Sequence, residues 1–81
     1  MELKDTIGMM TSPDYKERFK AEYHQLLIRA EKLAGMLERW RDGSLDFEPS
    51  CPFALLNAQS HLMASYLSIL EQRAQIEGIE L

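Results

Sequence analysis

Seven apolar residues between Pro13 and Asp42 recur at alternating spacings of four and three: Phe19, Tyr23, Leu26, Ala30, Leu33, Leu37 and Trp40. That is a heptad seam, and it is buried only when the helix carrying it lies lengthwise against another helix. Signals at both ends frame the same helix. Ser12-Pro13-Asp14-Tyr15 offers a capping serine, a proline at the first helical position and an acid in the first turn, while Arg41-Asp42-Gly43 puts a basic residue before a glycine suited to the left-handed C′ position. The pattern predicts a helix over 13–42, about 45 Å long. Leu27, Ala34 and Met36 flank the seam, and Gly35 allows a second backbone to come close.

Residues 43–51, Gly-Ser-Leu-Asp-Phe-Glu-Pro-Ser-Cys, are rich in turn formers and read as a loop, with Leu45 and Phe47 available to plug the helix ends. Pro52 then opens a second helix over 52–77, capped by Ser50 or Cys51 and stopped at Gly78. This helix carries two apolar seams: Leu55, Leu62, Tyr66, Ile69 and Ile76 form one, and Leu56, Met63, Leu67, Leu70 and Ala74 form its neighbour. Together they are wider than a single antiparallel partner covers. The surplus, assigned to the second seam, is expected to meet other chains.

With 81 residues the chain builds only a small core, worth about 3–5 kcal/mol before any staple. Its one cysteine, Cys51, excludes an intrachain disulfide, and His24 and His61 lie too far apart in sequence to suggest a metal site. No metal or organic cofactor is expected. Self-association is the staple that remains. The fold expected is all-α: a single domain over 13–81 forming a two-helix antiparallel hairpin, assembled into a symmetric helical oligomer. Residues 1–12 lack sustained periodicity and are read as a flexible N-terminal arm outside that hairpin.

A net charge of −4 argues against a duplex nucleic-acid binder, and no apolar run is long enough for a membrane span. Met1-Glu-Leu-Lys-Asp5 lacks the basic-then-apolar order of a secretory leader, so a cytoplasmic protein is expected. Charge is nevertheless uneven. Seven of the nine basic residues fall within 13–42, where six acids accompany them, whereas Arg73 stands alone against five acids in 43–81. An anion site is therefore expected on the first helix.

No serine or cysteine has a histidine and an acid at motif spacing, and no glycine-rich phosphate loop occurs, so an enzyme is not expected. Tyr15, Lys16 and Arg18 crowd the first turn of helix one, where free amides and the positive dipole end favour anions and an aromatic face can stack on a base. Arg29 and Lys32 form a second basic pair further along. Each group also has a plain reading as a solvated helix face, with Tyr15 closing the apolar stripe. His61, beside Ser60, either donates to a ligand or bonds locally, and Cys51 is assigned no role.

Several stretches carry a resemblance. Asp14-Tyr-Lys-Glu-Arg-Phe-Lys-Ala-Glu-Tyr with Arg29-Ala-Glu-Lys-Leu, Asp46-Phe-Glu-Pro-Ser-Cys-Pro and the ending Glu71-Gln-Arg-Ala-Gln-Ile-Glu-Gly-Ile-Glu-Leu81 are similar to small proteins of phage and prophage genomes. Ala58-Gln-Ser-His-Leu62, followed by Tyr66 and Arg73, resembles the second helix of the phage anti-CBASS sponges, helical-hairpin proteins related to part of the anti-Thoeris sponges. The resemblance implies a phage-encoded inhibitor of bacterial immunity that holds a cyclic oligonucleotide between subunits of a homo-oligomer in the host cytoplasm, without cleaving it. It points to Tyr15 for stacking, to Lys32 or Arg29 for a phosphate, and to Ser60 and His61 as ligand-facing. The sponge pattern has an arginine where this chain has Gln59, and its tyrosine-to-lysine spacing is about two residues shorter. The alternative is a helical interaction module with no small ligand, binding a protein through its apolar stripe and Met9, Met10, Met36 and Met63.

Overall fold

A computed structural model describes all of residues 1–81. A 3-10 turn over Leu3–Thr6 runs into a short helix α1, Ile7–Met10, followed by two long helices, α2 from Tyr15 to Asp42 and α3 from Phe53 to Glu77. There are no strands. The longest dimension, 43 Å, is the length of α2.

Helix α2 starts two residues later than the sequence pattern predicts. Its N-cap is Asp14, in extended conformation, whose carboxylate accepts a hydrogen bond from the Lys16 amide at 3.0 Å. Ser12 and Pro13 stay outside, with the Ser12 hydroxyl accepting from the Asp14 amide. Arg18, a candidate for an i,i+4 pair with Asp14, instead donates to the Ser12 carbonyl at 2.8 Å. Asp14→Ala is accordingly expected to cost about 0.5–2 kcal/mol, with a Tm lower by roughly 2–16 °C in a circular-dichroism melt. Ser12→Ala should cost less; the reverse order would restore Ser12 as the cap.

Both long helices end as predicted, on Gly43 (φ +80°) and Gly78 (φ +68°). At the first, the Ser44 amide reaches back to the Arg39 carbonyl and the Gly43 amide to Trp40. The second closes in the same way, with the Ile79 amide bonding the Ala74 carbonyl at 2.8 Å. This six-to-one closure turns the chain so that Ile79 packs beside Ala74. Ile79, Ala74, Leu70 and Phe19 form the buried cluster, flanked by Tyr23 and Leu26. The α2 seam therefore faces α3. Antiparallel contacts tie both ends of the hairpin: Trp40 meets Phe53 edge-on at 5.2 Å with the Arg41 guanidinium over the same ring, and Arg73 covers Phe19 at 4.9 Å.

The two-helix expectation is corrected at the N-terminus. Residues 3–10, read as part of an arm outside the hairpin, form helical structure packed on α2. The tie is polar: Thr6 is wholly buried, its hydroxyl donating to the Leu3 carbonyl at 2.7 Å and accepting from Gln25 Nε2 at 2.9 Å. Ala21, one turn before Gln25 on the same face, is buried as well. Two four-residue pieces are too short to show helical periodicity, so the pattern that reveals α2 is silent here. In the 43–51 loop Leu45 is half-buried but Phe47 is 53% exposed, so only Leu45 acts as a plug.

The seams of α3 are also exchanged. Leu70 and Ala74 are buried inside the hairpin, and Leu56, Met63 and Leu67 are half-buried. The outward line is Leu55, Leu62, Tyr66, Ile69 and Ile76. The second seam thus belongs to the hairpin core, and the surplus apolar surface is the first.

Candidate functional site

The six residues singled out by the sequence lie at two levels of the hairpin, Tyr15 and Lys16 at the start of α2 and the other four near mid-height. Tyr15 opens α2 and is half-exposed, and Lys16 beside it is half-buried. The amide at this helix start is not open to an anion as expected, because Asp14 already occupies it: an aspartate carboxylate is itself the anion that a helix N-terminus attracts. What Tyr15 and Lys16 offer here is side-chain chemistry, a phenol face and an ammonium.

Arg29 and Lys32 are exposed on the middle of α2. None of Lys16, Arg29 and Lys32 belongs to an ion pair; the three pairs of the chain are Lys4–Glu2, Lys20–Glu17 and Arg73–Glu77. Tyr15 and Lys32 are separated by 17 positions of continuous helix, about 25 Å along the axis and about 100° around it. Within one chain the structure does not bring them together.

Ser60 is half-buried and His61 exposed on α3. Adjacent helix positions diverge by about 100°, so the two do not share a face. Interpolating between the Trp40–Phe53 and Tyr23–Glu71 contacts places residue 61 level with residue 32. Lys32 and His61 both face solvent at that level.

Two tyrosines missing from the sequence-derived site bridge the hairpin. Tyr23 donates to Glu71 at 3.3 Å, and Tyr66 donates to Glu22 in a shorter contact. Partial burial, and then the Glu71 charge, raise the Tyr23 pKa; the hydrogen bond to Glu22 raises that of Tyr66. Both phenols therefore stay protonated donors to carboxylates. At the loop, hydrogen bonds from Ser44 hold the Asp42 carboxyl below its ordinary value and stabilise the turn.

Beside Tyr66 lies an open apolar groove of about 500 Å³. Cys51, Leu55, Leu56, Ala58, Gln59, Leu62, Met63 and Tyr66 line it, so its walls are almost wholly aliphatic, sulfur or aromatic. The sequence pattern marks five of them, Leu55, Leu56, Leu62, Met63 and Tyr66, as helix seams without revealing that they enclose a groove. The signal was the doubled apolar pattern of α3. Arg29 follows Glu22 by two helical turns, which puts it on the flank of α2 that carries the Tyr66 contact. No three His, Cys, Asp or Glu residues are grouped to hold a metal ion, and no helix is long and apolar enough to cross a membrane.

Comparison with known proteins gives no match among curated proteins or solved structures. The profile of one family, Sequestin, matches residues 13–76, a span containing both long helices, the groove and all six candidate residues. Because the match covers most of the chain, this helical protein belongs to the Sequestin family.

Proposed function

We propose that this chain sequesters a cyclic oligonucleotide signal of bacterial immunity, holding it uncleaved in pockets between subunits. The observation that carries the reading is the Sequestin match across residues 13–76, since the family's name denotes withholding and not turnover. Supporting it, Lys16, Arg29 and Lys32 are cations without carboxylate partners, close to half-exposed Tyr15 or to the hairpin's mid-level. Binding without chemistry needs only stacking surfaces and charge-assisted bonds to phosphates, which these residue types supply.

On this proposal Tyr15 stacks on a base, Arg29 or Lys32 meets a phosphate with Lys16 adding charge, and Ser60 and His61 face the ligand. The setting is a phage or prophage product acting in the host cytoplasm. An overall charge of −4 does not oppose it, because a local basic site governs a small dianion while net charge discourages bulk nucleic acid.

A thermal-shift panel of cyclic di- and trinucleotides tests the proposal. A ligand present at 100 times its Kd stabilises the fold by about 2.7 kcal/mol, a rise of about 10 °C or more in a domain of this size. A folded sample with no shift across the panel overturns the nucleotide reading. The observation favouring the second reading, a protein-binding helical oligomer with no small ligand, is the apolar stripe left open on α3.

A further inference from the structure

We infer that the open stripe of α3 is a self-complementary dimer face, and that the groove beside it receives Ile69 and Ile76 of a second copy. This deepens the between-subunit element of the sequestering proposal and rests on that reading only there.

Three observations converge on a second copy as the occupant. First, the stripe's spacing is nearly palindromic: Leu55, Leu62, Tyr66, Ile69 and Ile76 stand 7, 4, 3 and 7 positions apart. Laid antiparallel about a two-fold axis between Ser65 and Tyr66, one copy's Leu62 falls beside the other's Ile69, and Leu55 beside Ile76, with the two Tyr66 side chains flanking the axis. Every apolar position then meets another, as an isologous interface requires. The stripe residues that wall the groove, Leu55, Leu62 and Tyr66, are its N-terminal members, while Ile69 and Ile76 supply the protruding half.

Second, residues 53–70 contain no Asp, Glu, Lys or Arg. A chain carrying −4 repels its own copies, and this part of α3 is where that repulsion is weakest. Exposure is high there: Leu55 is 60% and Leu62 71% exposed, which is unusual for a solvated helix face.

Third, the area suffices. The five stripe side chains, spread over about 32 Å of helix, are 44–85% exposed, about 100 Å² each, so burying ten of them between two apposed copies removes on the order of 1,000 Å² of accessible surface. That reaches the lower bound of specific interfaces and exceeds adventitious contacts, most of which cover less than about 800 Å².

The test is the solution mass of the whole chain by light scattering after size exclusion, with helix content read by circular dichroism. The wild type is expected at twice the 9.4 kDa chain mass or a higher even multiple. Leu62→Glu and Ile69→Lys, both on exposed positions, should each weaken the dimer at least about 100-fold while keeping wild-type helicity. Mixed one to one, they should reassociate, because antiparallel pairing sets the introduced carboxylate of one variant against the introduced ammonium of the other and leaves Leu62 against Ile69 at the second contact. A monomeric wild type, or single variants of unchanged mass, overturns the interface. A mixture that stays dissociated overturns the antiparallel register. Nucleotide titration of the wild-type assembly is read separately: no binding overturns the sequestering proposal and leaves the interface standing.

Discussion

Leu70→Ala is expected to lower the Tm by roughly 10–25 °C, the largest stability effect of any single truncation in this chain. Leu70 is 1% exposed and sits among Phe19, Ala74 and Ile79, the only cluster in which both long helices and the C-terminal turn meet. Removing a buried leucine costs the transfer free energy of the lost carbons plus a cavity term, together about 3–5 kcal/mol when the site cannot collapse. Here collapse is resisted from three sides: Phe19 is held under the Arg73 guanidinium, Ala74 offers only a methyl group, and Ile79 is fixed by the hydrogen bond its amide donates to the Ala74 carbonyl. Since a domain of this size has a core worth only about 3–5 kcal/mol, the variant should be largely unfolded at 37 °C. Leu70→Met, which conserves volume, should lose less than about 1.5 kcal/mol. A Leu70→Ala melt within about 4 °C of wild type would show that this cluster is not the core.

The same residue shows how far the sequence could be read. The two long helices, both glycine stops and the inward seam of α2 were legible, because a 28-residue helix repeats its pattern often enough to fix period and phase. Which seam of α3 faces inward was not. Both are equally apolar, and the choice depends on Ile79, which lies beyond the helix and returns over the Leu70 side through the turn at Gly78. No periodicity within the helix contains that information. Substituting Leu67 or Leu70 by Glu, natural choices for breaking an assembly if the second seam faced outward, strikes the inside of the hairpin instead. The Thr6–Gln25 tie was hidden for a different reason. It is a buried polar pair between segments 19 positions apart, and hydrophobic patterns register only apolar contacts.

At the candidate site, residue types were legible and their grouping was not. Lys16, Arg29 and Lys32 stand clear of ion pairs, whereas Arg18 is tied to the Ser12 carbonyl. Nothing local distinguishes these basic residues in the sequence. The Asp14 cap equally follows from a choice between two good capping residues, Ser12 and Asp14, separated by one proline. The groove and the Tyr66–Glu22 bridge are tertiary: they arise from how α3 is rotated against α2, and so inherit the ambiguity of the two seams.

Tyr15→Ala and Lys32→Ala are each expected to weaken cyclic-nucleotide binding by at least about 30-fold while leaving the fold intact. Loss of one stacked base costs about 1–3 kcal/mol, and loss of one charge-assisted bond to a phosphate costs about as much. Each pocket takes one Tyr15 and one Lys32, and a loss of about 2 kcal/mol, the middle of that range, corresponds to roughly 30-fold. Stability should barely change: Tyr15 is half-exposed at the first helical position, and Lys32 is an exposed mid-helix residue for which alanine has equal or better helix propensity. Their separation of about 25 Å on one helix makes a sharper outcome available. A pocket using both draws Tyr15 from one chain and Lys32 from another, so co-expressing the two variants should rebuild about a quarter of the pockets with wild-type affinity. Pockets built from a single chain would give no such recovery. Calorimetric titration of each variant and of the co-expressed mixture, with melts alongside, reads both points. Wild-type affinity in both single variants would move the ligand away from α2 altogether.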